Sequence, residues 1–517
     1  MQAANILWAD DEIDLLKPHI IFLNEKGYNI ETATNGNDAL DIFNSKDFDL
    51  VFLDENMPGL TGLETLTAIK SSNPDIPVVM ITKSEEEYLM EDAIGATIDD
   101  YLIKPVNPKQ ILSTIKKLID NKRLVSEKTS MAYQQDFRNL GMTLNDNLNY
   151  KEWVDVYKKL IFWELKLEKL EDEGMHEILT LQKAEANAQF SKFIEKNYVK
   201  WINNQDDAPV FSHQLFKKKV FPALTDNIPT FFILIDNLRY DQWKIINPII
   251  SEYFRMEEED IYLSILPTAT QYARNAIFAG LMPLDMEKRY PSMWQNDEDE
   301  GGKNLYENEF LADQIKRTLR KDIKYSYNKI LTQEQGKDLN EMLPNLMENS
   351  LNVIVYNFVD MLSHARTDMQ MIKELANDDA AYRSITLSWF EHSPLLDLIK
   401  KLSQKRVKVM LTTDHGTIRV KKPSKVIGDR NTNTNLRYKQ GKNLAFTAKE
   451  VFHIKNPHEI MLPKLHVSSS FIFAKEDSYF VYQNNYNQFV NYYNETFQHG
   501  GISMEEMIIP FVTYKNK

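Results

Sequence analysis

Val407 to Gly416, VKVMLTTDHG, decides how the second half of this chain is read. Its apolar run (Val409, Met410, Leu411) predicts a buried strand, and the polar TTDHG that follows falls where an α/β sheet exposes side chains at its carboxyl edge. Asp414 and His415 stand at that edge. Alone, a carboxylate beside an imidazole is an ordinary hydrogen-bonded turn. What changes the reading is that other apolar runs in this half also stop at Asp or His. IPTFFILID predicts a strand ending at Asp236, and LNVIVYNFVD one ending at Asp360. His364 follows four residues later, so a helix starting at Asp360 puts both side chains on one face. IYLSILPTATQYARNAIFAG predicts a strand, a short loop carrying Thr268 and Thr270, and a helix from near Gln271. His499 opens HGGISMEEMIIP, whose glycines predict close backbone approach.

Together these positions supply Asp236, Asp360 and Asp414, the imidazoles of His364, His415 and His499, and a threonine. Two sets of three protein ligands are what a pair of catalytic zinc ions needs when each keeps an open position. A hydroxyl at a helix N-terminus beside such an ion is an activated nucleophile, because the dipole and the cation both favour its alkoxide. Imidazole and carboxylate donors suit manganese as well, although the grouping leans to zinc. His176, His213, His392, His453, His458 and His466 receive no role.

At 517 residues the chain is too long for one core, and about three domains are expected. The 43% hydrophobic content allows each a buried interior. Cys is absent, which removes disulfides and thiolate ligands and fits a reducing compartment. The opening MQAANILWADDEIDLL has neither a basic n-region nor a long apolar h-region, and no later stretch reaches the ~20 apolar residues of a bilayer span. A cytoplasmic protein without membrane insertion is expected. A net charge of −14 argues against a general duplex-binding surface, and no helix-turn-helix pattern is present.

Residues 1–122 alternate strand and helix signals. ANILWADDE stops at Asp10 and Asp11, DFDLVFLDENMPG at Asp54, IPVVMIT at Thr82 and DDYLIKP at Lys104. A doubly wound parallel sheet would open all four ends at one edge. Three carboxylates in one crevice repel unless a hard divalent cation lies among them, and oxygen-only ligands favour Mg²⁺. Asp54 is then the nucleophile toward a phosphoryl donor, Asp10 and Asp11 hold the metal with it, and Lys104 and Thr82 contact phosphoryl oxygens.

ADDE, FLDENMPG, MIT and YLIKP make this segment resemble a two-component receiver domain over its whole length. The resemblance carries phosphorylation to Asp54 and supporting roles to Asp10, Asp11, Thr82 and Lys104. It matches Tyr101 to the aromatic switch that turns inward as Thr82 moves toward the phosphoryl group. It also implies a phosphorylation-linked homodimer.

Residues 123–205 shift to Lys, Glu, Leu and Trp. Trp153, Val156, Leu160, Trp163, Leu167 and Leu170 recur at steps of three and four, which predicts one apolar seam on a helix broken at Gly174. A second helix is expected over Met175–Trp201. A small helical bundle joining two domains is the reading.

For residues 206–517 the order Asp, Thr, Asp-x-x-x-His, Asp-His, His resembles the alkaline phosphatase superfamily. LPTATQYARNAIFAG is similar to the nucleophile loop of its phosphodiesterase branch, and HGGISMEEMIIP to its PglZ subgroup. The resemblance places the nucleophile at Thr270. It gives one zinc to Asp360, His364 and His499, and the other to Asp236, Asp414 and His415 with Thr270. The domain order over the full length resembles PorX-type response regulators associated with type IX secretion. That implies a sensor histidine kinase, contact with a sigma factor, and a phosphodiesterase output acting on oligonucleotides or another phosphodiester. The alternative is a phosphorylation-controlled adaptor that binds its partner without needing catalysis.

Arg274, one helical turn after Thr270, either points at the substrate or lies on the surface. Between Arg419 and Lys442 a basic run containing Lys421, Lys422, Lys425, Arg430, Arg437 and Lys439 faces one acid, Asp429. It either tracks a nucleotide backbone, with Tyr438 stacking on a base, or is a solvated loop. Asn296–Lys303, NDEDEGGK, is read as a flexible surface insertion.

Overall fold

β-Branched and aromatic runs flanked by polar turns form two main sheets in the computed structural model. It describes all residues but 1–3, 75, 84–97, 169–172, 205–206, 226, 300, 369 and 429–431, with backbone alone for 120–128, 130, 173, 365–368 and 370–372. The chain divides into two compact units, 1–136 and 137–517. Leu170, Asp429 and Arg430 lie outside the described residues.

The first unit holds five parallel strands: β1 (Asn5–Ala9), β2 (Asn29–Ala33), β3 (Leu50–Asp54), β4 (Val78–Thr82) and β5 (Asp100–Ile103). Their order is β2-β1-β3-β4-β5, a doubly wound sheet with its switch point between β1 and β3. Apolar side chains on its two faces form two cores, one around Trp8, Phe52 and Ile81, the other around Leu7, Val51 and Met80. Asp10, Asp54, Thr82 and Lys104 all fall at the carboxyl ends of these strands.

In the second unit, β6 (Thr230–Ile235), β9 (Leu351–Tyr356), β8 (Tyr325–Ile330) and β10 (Lys408–Thr412) run parallel. The final strand, Ile508–Asn516, lies antiparallel between β10 and β7 (Phe254–Leu263), giving the order β7-final-β10-β6-β9-β8. Every residue of β6 is buried, as expected for a central strand covered on both faces. Smaller sheets form from residues 418–498.

The helices Tyr150–Glu168 and Glu173–Asn203 pack together, with Trp153 edge-on to Phe190 at 5.6 Å. Gly174 therefore stands inside the second helix and not at a break between them. The buried seam is wider than expected, since Tyr157, Ile161 and Glu164 join Trp153, Val156, Leu160, Trp163 and Leu167. Among the described residues no helix is long and apolar enough to cross a membrane.

Candidate metal centre

Asp236 and Asp414 are brought together because β6 and β10 are neighbours in register, Leu234 beside Thr412. Asp360 arrives differently. β9 stops at Tyr356, and Asp360 lies in the first turn of the helix Phe358–Asp368, which corrects the expected strand end and still puts His364 one turn above it. Thr270 is the first residue of the helix Thr270–Ala279, so its hydroxyl stands at the positive end of that helix.

Two groups of potential ligands result, Asp236–Asp414–His415 and Asp360–His364–His499. They are adjacent, with the His415 and His499 rings stacked at 4.3 Å. Thr270 Oγ1 lies 3.0 Å from His415 Nε2 and 3.4 Å from Asp236 Oδ1. Both imidazoles are oriented through Nδ1: His415 is 3.0 Å from the Gly416 carbonyl and His499 is 3.1 Å from that of Thr268. A proton on each Nδ1 leaves Nε2 as the electron-pair donor facing the site. Burial, then His415 and His364, holds His499 far below the usual imidazole range, so it is neutral, as a ligand must be.

The carboxylates also fit a cation. Asp414 Oδ2 is buried without a hydrogen-bond donor among the described residues, with the Arg274 guanidinium at 3.9 Å and His415 Nε2 at 3.8 Å beside it. Burial, offset in part by Arg274, then reinforced by Asp414 and Asp360, pushes Asp236 well above the carboxylate range. Burial acts the same way on Asp414, but His415 and Arg274 outweigh it and hold that carboxyl low. With no thiolate available, carboxylate and imidazole nitrogen are a donor set suited to zinc.

Arg274 is neither on the surface nor free for substrate. It is 2% exposed at the side chain, bonded to Asp236, and 2.5 Å from Glu307. The basic run is corrected more strongly. Arg437 is fully buried against Glu506 at 2.6 Å. The Tyr438 hydroxyl donates to Asp297 at 3.1 Å and its ring meets Tyr272 edge-on, so no face is open to a base. Lys439 is buried with Nζ 2.8 Å from the Asn433 carbonyl. Lys421 and Lys422 are exposed, but they line a charged cavity of about 570 Å³ with Glu168, Lys183 and Arg383, and Lys422 pairs with Asp477 at 3.0 Å. Arg437 folds inward because its counter-charge, Glu506, comes from a remote segment.

The 296–303 stretch is likewise not a free insertion. Within it the Lys303 carbonyl accepts from Asn275 Nδ2 (3.0 Å) and Asp297 from Asn433 (2.8 Å), and at its edges Gln271 Nε2 donates to the Gln295 carbonyl (2.7 Å) and Asn304 Nδ2 to that of Thr270 (3.1 Å). It straps the start of the threonine-bearing helix.

Asn237 is a residue the strand-end reading missed. It is fully buried at φ +64°, a conformation Asn tolerates, with its amide N–H 3.2 Å from Asp414 Oδ1 and its side-chain amide 3.4 Å from Asp360 Oδ1. It links the two ligand groups. An Asn directly after a strand-end Asp was the available signal.

In the receiver-like crevice, Lys104 Nζ is 2.9 Å from Asp10 Oδ2 and 2.7 Å from Asp54 Oδ1. Burial raises the Asp54 carboxyl, Lys104 opposes this, and Asp10 adds to it. The potential ligand group among the described residues is Asp10, Asp11 and Glu12, so Glu12 joins the expected set and Asp54 stands outside that group. Thr82 donates to Glu55. Tyr101 is 41% exposed, the outward position of its ring.

The family model described as the BREX system PglZ alkaline phosphatase-like domain matches residues 215–514, more than half of the chain. The chain belongs to the PglZ family. Ahead of the PglZ segment, the response regulator receiver model matches residues 6–116 and the PorX response regulator linker model matches 123–202, which is the PorX-type order. Among curated proteins, the chain is similar to "Probable transcriptional regulator ycf27" of Cyanidium caldarium, at 30% identity over 36% of this chain and 71% of that one. It is also similar to the transcriptional regulatory protein ZraR of Salmonella typhimurium, at 32% over 26% of this chain and 31% of the relative. The chain thus spans under a third of ZraR. Among solved structures, chemotaxis protein CheY4 of Vibrio cholerae matches at 30% identity over 22% of this chain and 98% of its own, with a TM-score of 0.22.

Proposed function

We propose that this PglZ-family response regulator is phosphorylated on Asp54, and that residues 206–517 form a two-zinc phosphodiesterase with Thr270 as nucleophile. The placement of the Thr270 hydroxyl carries the reading: it stands at a helix N-terminus 3.0 Å from His415 Nε2, in the ligand group whose His415 ring stacks on His499 of the other. Asp236, Asp414 and His415, with Thr270, would hold one ion, and Asp360, His364 and His499 the other. Ions bound there supply positive charge to the phosphoryl oxygens and to the attacking and departing oxygens.

Thr270 Oγ1 gives its proton to a solvent water and forms a bond to phosphorus as the ester bond opposite breaks. The released alkoxide takes a proton from water. A second water then attacks the phosphothreonine from the vacated side, freeing Thr270 and a phosphomonoester. His415 and His499 keep their donor nitrogens aimed through the Gly416 and Thr268 carbonyls.

A monoester carries one more negative charge than a diester and needs a further free cation. The Arg274 guanidinium is committed to Asp236 and Glu307, which favours the diester. Oligonucleotides are the diester class, a sensor histidine kinase and phosphorylation-linked dimerisation the input, type IX secretion the process and the cytoplasm the place that the PorX-type order supports. The domain limits that go with this reading are 122 and 205.

The test is hydrolysis of a chromogenic phosphodiester and its monoester by the zinc-loaded chain beside Thr270→Ala. Diester turnover that falls by roughly a thousandfold or more in the variant, with both ions retained, supports the reading. Absence of turnover with two ions bound overturns it in favour of the adaptor.

A further inference from the structure

The helix Glu173–Asn203 is more polar on its buried side than a spacer requires. Asn187, Ser191 and Tyr198 are each 5% exposed or less, and with Ile194 they recur at steps of four, three and four, which is one face. Asn and Ser are weak helix formers, and a buried phenol needs a partner. All three find theirs in two loops of the metal centre.

Asn187 Oδ1 accepts from the Met504 amide at 2.8 Å, and its Nδ2 donates to Glu505 Oε2 at 2.9 Å. Ser191 Oγ reaches the Ile502 carbonyl at 3.5 Å. Tyr198 accepts from the Leu266 amide at 2.7 Å. Leu266 starts the turn that leads through Thr268 to Thr270, while Ile502 to Glu505 close the turn that opens at His499.

These loops are clasped to each other. Thr268 Oγ1 donates to the Gly501 carbonyl at 2.9 Å and accepts from Gly500 N at 3.0 Å, and the Thr268 carbonyl orients His499. The Glu505 carbonyl also abuts Gly416, where an added Cβ would lie 2.0 Å from it, directly after His415. One helix thus fixes both loops at points eleven residues apart, roughly 16 Å along its axis.

We propose that Asn187 and Tyr198 are positioning residues, and that this linker helix is a splint holding the Thr270 loop and the His499 loop at one spacing. The metal centre is built by the linker and not only by the domain that supplies its ligands. A displacement of the helix along its axis shifts Leu266 and Met504 together and so changes the distance of Thr270 and His499 from Asp236, Asp414 and His415, which follow β6 and β10. The consequence for turnover rests on the phosphodiesterase reading; the consequence for loop order and metal retention does not.

The experiment compares full-length Tyr198→Phe and Asn187→Ala with Ile194→Val, which trims the same face without touching a loop hydrogen bond. Three quantities are read: amide exchange over 264–270 and 500–506, zinc retention against a chromogenic chelator, and kcat and KM for the diester. In both polar variants exchange accelerates in the loops, zinc is lost at roughly tenfold lower chelator, and kcat falls roughly tenfold while KM stays within about twofold. Ile194→Val lowers the melting temperature and moves none of these. Unchanged exchange and zinc retention in both polar variants overturns the splint, as does an equal effect of Ile194→Val. If the zinc-loaded wild type turns over no diester, the enzyme reading fails while the exchange and retention arms still decide the splint.

Discussion

Lys104 and Arg274 each set a cation among carboxylates at the carboxyl edge of a parallel sheet, with opposite degrees of freedom. Lys104 is a point charge on a flexible stem, 12% exposed, and among the described residues it is shared by Asp10 and Asp54. The planar fork of Arg274 is filled on one side by Asp236 and on the other by Glu307, which also takes Tyr327 and Lys329. The first cation can leave one carboxylate for an incoming phosphoryl group or yield to Mg²⁺. The second cannot leave without stranding buried charges. On the proposed function, the crevice that switches carries lysine and the one that keeps its ligands still carries arginine.

Asp54→Asn breaks the comparison at its switching end: acid-labile phosphate after incubation with acetyl phosphate is abolished, while zinc content is unchanged. Label retained in the variant would remove Asp54 from its role. At the fixed end, Arg274→Ala strands Asp236 and Glu307 and lowers stability by about 3–5 kcal/mol in urea unfolding. A loss under about 1 kcal/mol would show that the fork is dispensable.

Lys439 sharpens the contrast because its buried ammonium meets the Asn433 carbonyl and the Tyr482 ring instead of a bonded carboxylate. Burial pulls it down from the ordinary 10.5 to about 7, with Asp297 opposing only weakly. Between those values the unfolded chain binds the extra proton, so stability rises with pH across the window, by about 3 kcal/mol. Lys439→Met flattens that rise in unfolding curves at pH 7 and 10; an unchanged slope would mean that Lys439 stays charged when folded. The smallest effect is expected for Lys104→Ala, about 1 kcal/mol without Mg²⁺ and less with it, since the ion takes over the neutralising charge. A Mg²⁺-independent loss would place Lys104 with Arg274.

The meeting of Asp236, Asp414 and His415 in the larger unit was legible because strand ends in a parallel sheet have one place to go, so they needed only neighbouring strands. Periodicity located the linker helices for the same reason, yet it misjudged their breadth, since Tyr157 and Glu164 are buried by partners that a seam count cannot see. β2 was missed because NIETA is half exposed and lacks an apolar run. The basic run misled because composition registers charge and not its counterpart. Glu506, which neutralises Arg437, stands 69 residues away. Arg274 misled similarly, its second carboxylate coming from Glu307.

The final strand has a consequence for how the molecule is made. It occupies the gap between β7 and β10, which precede it by some 245 and 95 residues. During synthesis β7 has no neighbour in its sheet, and β10 shows a bare edge, until Ile508–Asn516 emerges. At roughly 5–20 residues per second that interval lasts about 5–20 s after Thr412 is made. Throughout it the nascent chain presents unpaired strand edges to its surroundings, a template for pairing with another chain. That interval, and not the stability of the finished fold, is the stage at which cover of the two open edges protects the chain most.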